Sequence, residues 1–173
     1  MVRVYIPATL AMLQQLVADR LIHARSGTAF AVTPVLRESY AEGDDEELAE
    51  VALREAALAS LRLLAGEGSS SLPPRRAVLV ADVGGAEGGA EAVTLRPDLD
   101  DAVVRLAAPV ALDDVIAAYV DNAAAEQAVL VAVDRIDEAD LGDEDAELAV
   151  GDAQDHDLAW YAPQELPFLL ELL

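Results

Sequence analysis

The sequence predicts a single α/β domain, α+β-like in its organisation, with a mixed β-sheet of about five to six strands and helices packed on it. Three observations predict this fold class. Strand-like and helix-like patterns alternate from the start of the chain, as they do where helices cover a sheet. The 173 residues suffice for one domain with a sizeable core. Hydrophobic residues make up 54% of the chain and aromatic residues only 4%, so we expect a core of Leu, Val and Ala.

The first elements have the clearest local patterns. Residues 2–6 alternate between apolar and other side chains, which predicts a strand. Thr9 is placed to cap a helix that runs to about Arg20. Residues 28–33 predict a second, buried strand, and its final threonine precedes Pro34, which is the typical pattern of a helix start.

The longest predicted helix covers residues 45–65. Asp44 and Glu47 have the spacing of a capping box, with Asp in the place of the usual Ser or Thr. One wide face of the helix is apolar and the opposite face is charged, but the charged face is interrupted by Val51, Leu58 and Leu61. Two alternatives follow: the helix is covered on two sides, or it carries a subunit contact.

The middle of the chain predicts a loop followed by several strands. Residues 66–76 have the composition of a flexible loop that is too short to separate two domains. Strands are predicted at residues 77–83, 92–95, 103–106 and 115–120, and a single helical turn at 112–114. The first of these strands is apolar on both faces, as central strands are. The last is ambiguous between strand and helix, and its pattern favours a strand.

The end of the chain is strongly acidic before it becomes apolar. Asp121 or Asn122 is expected to cap a helix that runs to about Asp137, and residues 138–157 are expected to be partly irregular. Pro163 then opens a last amphipathic helix. We expect its apolar end to dock on the core or on another subunit.

The net charge of −22 restricts the partners of this protein. All 11 basic residues are arginines, there is no cysteine, and no apolar stretch is long enough to span a bilayer. The chain opens on a strand pattern and not on a signal peptide, so we expect a cytoplasmic protein. Such a charge repels nucleic acids and anionic membranes, and it leaves a basic partner or a cation as the compatible ligands.

The richest cluster of chemically active side chains lies near the end of the chain. Carboxylates with one imidazole are the ligand set of Mg²⁺, Mn²⁺ or Zn²⁺, and the candidates here are Asp140, Asp143, Asp145, Asp155, His156 and Asp157. The spacing matches no calcium-binding loop, and charge runs of this kind are usually solvated surface. We predict no cofactor, and a divalent ion at this cluster is the alternative. Trp160 and Tyr161 would either line a pocket beside it or, as we prefer, anchor the last helix.

Other motifs predict structure more than chemistry. The glycine-rich stretch at 84–89 follows a buried strand but precedes another strand, so it offers no helix start to a phosphate. Ser60 and the other serines lie in no nucleophile-elbow pattern. The Arg75–Arg76 pair is interpreted as a solvated strand start, since it is too small for a nucleic-acid patch.

Four stretches carry a resemblance to a known family. They are Val-Tyr-Ile-Pro-Ala-Thr at 4–9, Thr-Ala-Phe-Ala-Val-Thr-Pro at 28–34, Asp-Leu-Gly-Asp-Glu-Asp at 140–145 and Asp-His-Asp-Leu-Ala-Trp-Tyr at 155–161. Together they resemble an uncharacterised actinobacterial family of small acidic proteins, a domain of unknown function. The resemblance implies a bacterial cytoplasmic protein, and it assigns no catalytic role to any residue.

These observations favour a non-catalytic binding or interaction protein. We expect a homodimer formed through the long helix or the apolar tail, with no direct binding of nucleic acid. The first alternative is a divalent-metal-dependent hydrolase, in which His156 would be a ligand or general base among the carboxylates of residues 140–157. The second alternative is an acidic decoy that occupies the nucleic-acid site of a basic partner.

Overall fold

A computed structural model describes residues 2–40, 42–68, 70–84 and 93–173. Its strands are β1 (Val2–Ala8), β2 (Leu21–Ile22), β3 (Thr28–Phe30), β4 (Ala77–Val83), β5 (Val93–Leu95), β6 (Val103–Leu106), β7 (Val110–Ala111), β8 (Val115–Val120) and β9 (Ala159–Tyr161). Its helices are α1 (Leu10–Asp19), α2 (Pro34–Ser39), α3 (Asp45–Glu67), α4 (Glu126–Asp140), α5 (Glu144–Gln154) and α6 (Leu166–Glu171). None of the described helices is both long and apolar enough to cross a membrane.

Seven strands form the main sheet in the order β5-β6-β3-β1-β4-β8-β9, and β2 pairs with β7 in a small second sheet. The predicted α/β fold is confirmed, but the sheet differs from the mixed one of five to six strands that the sequence predicts. All pairings between the described strands are antiparallel. The reason is that β3 and β4 run in the same direction but lie on opposite sides of β1, so the α2–α3 connection between them creates no parallel pair.

Three predicted helix caps are confirmed, whereas Asn122 caps a 3₁₀ turn and α4 begins only at Glu126. The Thr9 hydroxyl accepts a hydrogen bond from the Met12 backbone N–H at 3.3 Å, and α1 follows it. Asp44 caps α3 through the backbone N–H of Glu47 at 2.9 Å. Thr33 caps α2 in the same way. Each side chain satisfies a backbone donor that the first helical turn leaves without a partner.

Three apolar clusters hold these elements together. The first lies between one face of the sheet and helices α1 and α6, and it buries Leu166 and Leu169 of the apolar tail. The second lies between the other face and helices α2 and α3. The third joins the far side of α3 to α4 and α5, where Leu61 is fully buried. Helix α3 is therefore covered on two sides within one chain, which is the first of the two predicted alternatives.

The acidic segment 138–157 is more regular than predicted. Helix α4 continues to Asp140, and α5 follows after a short turn. Gly142 has a φ of 95° there, in the region that favours glycine. Asp143 then accepts a hydrogen bond from the backbone N–H of Ala146 at 2.9 Å and caps α5. One face of this helix is buried and carries the small residues Ala146 and Ala153. An amphipathic helix therefore forms within a mainly acidic sequence.

The remaining differences concern short elements. Residues 115–120 form the predicted strand, with Ile116 as an extra bulged residue where the register against β4 shifts. The strand predicted at 28–33 ends at Phe30, and Pro163 begins a 3₁₀ turn before α6. Ala92 and most of the glycine-rich stretch at 84–89 lie outside the described residues.

Candidate functional site

The six predicted metal ligands are divided between the two ends of α5. At the first end, Asp140 forms two hydrogen bonds with the Arg62 guanidinium, at 3.1 and 2.9 Å. The same interaction lowers the pKa of Asp140 from its ordinary value. Asp143 caps α5 and lies 3.4 Å from Arg135. Asp145 is exposed in the first turn of that helix.

The other three predicted ligands, Asp155, His156 and Asp157, follow the last turn of α5. This helix has 11 residues, so it separates the two groups by about 16 Å. Among the described residues, no three His, Asp or Glu side chains lie close enough together to hold a metal ion. The structure therefore does not bring the proposed metal site together, because a helix separates residues that are close in sequence.

A buried ion pair occupies the place where the sequence predicted a solvated strand start. Arg76 is only 1% exposed, and Asp121 is fully buried. The Arg76 Nε donates to Asp121 Oδ2 at 2.8 Å, and Nη2 donates to Oδ1 at 2.7 Å. The Arg76 backbone N–H also donates to Oδ2 at 2.9 Å. The interpretation of Arg76 as solvated is wrong, because strand register places it against the residue that follows β8.

The Arg76 guanidinium also fixes the connection between α5 and β9. Its Nη1 donates to Gln154 Oε1 and its Nη2 to the backbone oxygen of His156, both at 2.8 Å. The Gln154 side-chain amide in turn donates to the backbone oxygen of Arg54 at 3.1 Å. One cation therefore links β4, β8, α3 and the end of α5. Each of the three guanidinium nitrogens of Arg76 donates a hydrogen bond to a protein group, which indicates a structural role.

The cavities near this network offer little space for a substrate. A cavity of about 60 Å³ lies beside Arg76, Gln154 and His156. Ligand pockets usually measure several hundred Å³, so this one holds water at most. A wider, open groove of about 620 Å³ runs over Tyr5 between Arg3 and Arg37.

Most charged groups along that groove are paired with each other, and Glu46 is the exception among the described residues that line it. Arg3 donates twice to Asp82, at 3.0 and 3.2 Å, and this lowers the pKa of the carboxyl group. Arg37 forms an ion pair with Asp45. Burial raises the pKa of Tyr5, the only phenol on the groove. The groove thus presents internally compensated ion pairs, neutral side chains and the carboxylate of Glu46.

Ser60 is also committed to structure. It is fully buried in α3. Its hydroxyl donates to the backbone oxygen of Ala8 at 2.7 Å and accepts from the backbone N–H of Ala77 at 3.1 Å. The hydroxyl therefore joins α3 to the ends of β1 and β4, and both its donor and its acceptor role are used within the protein.

The β9 strand forms one edge of the main sheet. On its inner side, Trp160 lies opposite Tyr119 and Tyr161 lies opposite Ala118 of β8. No strand among the described residues pairs with its outer side. Trp160 is 57% exposed, so it neither lines an enclosed pocket nor anchors the last helix. Tyr161 packs instead against the cluster between the sheet, α1 and α6.

Most positive charge is compensated within the chain. Eight of the 11 arginines form ion pairs with carboxylates: Arg3, Arg20, Arg37, Arg62, Arg75, Arg76, Arg96 and Arg135. Among the carboxylates that the structure describes, nine take part in these pairs. The surface formed by the described residues is therefore predominantly anionic.

Comparison with known proteins places the chain in a family. The chain belongs to DUF6912, a family of unknown function whose model matches residues 2–170. This confirms the resemblance to an uncharacterised family across nearly the whole chain. No curated protein and no solved structure matches the sequence.

Proposed function

We propose that the protein is a non-catalytic binding protein, and that the outer edge of β9 is its recognition surface. One observation carries the proposal: the sole tryptophan of the chain, Trp160, lies 57% exposed on the edge strand of the sheet. Tryptophan is enriched at the energetic centres of protein interfaces, because its large ring contributes much of the binding energy when it is buried.

An open sheet edge also supplies backbone recognition. The edge strand presents N–H and C=O groups that an extended segment of a partner can pair with, and alternate side chains then add specificity. Arg76 supports this surface, because its hydrogen bond to the His156 backbone oxygen fixes the chain three residues before β9. A partner would therefore meet a preformed edge.

The polar groups of the described residues support a function without catalysis. Ser60 and the Arg76–Asp121 pair are buried and hydrogen-bonded to protein groups. The candidate metal ligands lie at opposite ends of α5. We place the binding in the cytoplasm, which is the location that the cysteine-free sequence predicts.

The homodimer predicted from the sequence is a separate proposal. Helix α3 is covered by its own chain, so the dimer would form through α6, where Phe168 and Leu172 are 68% and 86% exposed. Light scattering at high micromolar concentration tests it. A dimer mass that Phe168→Ser reduces to the monomer mass is expected, and a monomer mass for the wild type contradicts it.

A phage library of random 12-residue peptides tests the recognition surface. Selection on the wild-type protein should enrich peptides whose binding is lost in Trp160→Leu. The matched control is Tyr40→Leu, since Tyr40 is an exposed aromatic side chain at the end of α2, outside both the β9 edge and the proposed dimer contact, and this variant should bind normally. The proposal fails if no peptide is enriched, or if the enriched peptides bind both variants equally.

A further inference from the structure

We infer that the segment bound at the β9 edge is positively charged: an extended stretch of a partner protein, rich in Arg or Lys, that adds to the sheet as an eighth strand. The inference rests on the proposed function, since it names the partner chemistry of the same edge. Two independent features carry it, the charge distribution of the molecule and the aromatic side chain on β9.

The charge distribution favours a basic partner over a neutral or acidic one. The net charge is −22, and the ion pairs described above use most of the arginines within the chain. A charged surface of one sign raises the association rate of an oppositely charged partner and repels partners of its own sign. An approaching basic segment therefore finds few arginines left to repel it.

The geometry of β9 gives that segment a specific contact. In an antiparallel pair, residues that lie opposite each other share one face of the sheet. A residue of the added strand opposite Trp160 would lie on the same face as Trp160 and Tyr119, which already form such a pair. A Lys or Arg there can stack its cation on the exposed indole ring.

The approach to β9 is also acidic. Asp155 and Asp157 are exposed in the segment that leads into the strand. Asp157 precedes Trp160 by three residues, which corresponds to about 10 Å of extended chain. A second cation, two to three residues along the added strand, can therefore reach these carboxylates. Arg54 is an exposed positive group near this segment. Its guanidinium donates a hydrogen bond to the backbone oxygen of Gln154, at 3.4 Å.

The same features argue against a second copy of this chain as the occupant. At β9, a second copy would bring its own charge of −22 to an edge that already has Asp155 and Asp157 beside it, whereas the proposed dimer contact is the exposed apolar end of the chain. β9 contains only three residues, and Pro163 follows shortly after it. Short edge strands and nearby prolines limit the pairing of one sheet edge with another. With a partner of opposite charge, electrostatic attraction compensates for the small number of backbone hydrogen bonds that the three residues of β9 can form.

Three fluorescein-labelled nonapeptides test the inference by fluorescence anisotropy. Each has threonine at the odd positions, and the even positions carry arginine, glutamine or glutamate. A fourth peptide keeps the four arginines but has two adjacent prolines at its centre in place of two threonines, so it has the same charge and cannot form a strand. All four are titrated with wild type, Trp160→Leu and Tyr40→Leu, whose unfolding midpoints are checked first.

The arginine peptide should bind at least tenfold more tightly than the glutamine peptide, and the glutamate peptide should not bind. Trp160→Leu should weaken the binding of the arginine peptide about fivefold, which is typical of a lost cation–π contact, and Tyr40→Leu should leave this binding unchanged. The proline peptide should bind much more weakly, and added salt should weaken all binding of the arginine peptide.

The other outcomes separate the two proposals. If the glutamine peptide binds as tightly as the arginine peptide and depends on Trp160, the inference is wrong and the proposed function stands. If the arginine peptide binds regardless of Trp160 and of the prolines, the attraction is non-specific and both are contradicted. If no peptide binds, the inference is wrong, and the phage selection decides the proposed function by itself.

Discussion

Two arginine–carboxylate pairs in this protein have the same chemistry and very different surroundings. Arg76 and Arg62 each hold a carboxylate through Nε and Nη2, with distances of 2.7–2.8 Å to Asp121 and 2.9–3.1 Å to Asp140. The side chains of the first pair are 2% and 0% exposed, and those of the second are 46% and 45% exposed. Burial is therefore the main variable between them.

The difference shows which charges determine this fold. Where water is excluded, an arginine without its carboxylate is a desolvated charge, and its partners cannot be replaced by solvent. Where water is present, it replaces a lost partner at small cost. In a chain with 33 carboxylates, a single buried one thus has more structural weight than the acidic run at 140–145.

Breaking the buried ion pair should have the largest effect on stability. Asp121→Asn removes the counter-ion of Arg76 and should lower the free energy of unfolding by about 3–5 kcal/mol. Urea denaturation at neutral pH measures the change. The double variant Arg76→Met, Asp121→Leu should recover a large part of the loss, since it leaves no buried charge. A loss below about 1 kcal/mol for Asp121→Asn would show that water reaches Arg76.

A buried hydroxyl should have the next largest effect. Ser60→Ala removes a donor to Ala8 and an acceptor for the Ala77 backbone N–H. Leaving these buried backbone groups without a partner should cost about 1–3 kcal/mol, measured in the same urea titrations. Ser39→Ala, at an exposed position, is the control and should change stability much less. Equal effects of both substitutions would contradict the role assigned to Ser60.

The exposed pair should contribute less, and its contribution should depend on pH. Asp140→Asn should cost about 0.5 kcal/mol at pH 7, in the range of solvent-exposed ion pairs. The hydrogen bond from Arg62 lowers the pKa of Asp140 below 3.8. The difference between wild type and variant should therefore be complete well above that value and disappear as the pH falls through the lowered pKa. If the stability difference between wild type and Asp140→Asn persists at a pH below the lowered pKa, the ion pair is not its cause.

The smallest expected effect has the opposite sign. Burial raises the pKa of Glu55 above 4.5, and the carboxylate of Asp100 raises it further. The charged form therefore destabilises the folded state at neutral pH, and Glu55→Gln should raise the unfolding midpoint by about 1–2 °C. This gain should disappear as the pH falls below 4.5, because the wild-type carboxyl group is then protonated. A lower midpoint at pH 7 would contradict the assignment.

The local parts of the fold could be predicted from the sequence. Thr9, Thr33 and Asp44 cap the helices that follow them, because a cap depends on residues a few positions apart. The role of Arg76 could not be predicted, since it depends on the register between β4 and β8, which distant residues determine. Strand β9 was missed for a similar reason: three residues are too few to show an alternating pattern.

The sequence indicated candidate residues for a site but not how the fold arranges them in space. Asp140 and His156 are close in sequence, but α5 lies between them. The prediction treated proximity in sequence as proximity in space, and it assumed an irregular segment where a capped helix forms. Trp160 was predicted to line a pocket or to anchor the last helix, and its exposure was not foreseen, because it comes from the sheet order that leaves β9 at an edge.

The most direct test of the β9 edge as the binding surface is an NMR titration of the ¹⁵N-labelled protein with the arginine nonapeptide. The amide signals of residues 158–161 and of Tyr119 should show the largest shift changes, while the α4–α5 turn at 140–143 should change little. Shift changes spread over the acidic helices, with β9 unaffected, would contradict the proposal and would indicate non-specific attraction between the peptide and an anionic surface.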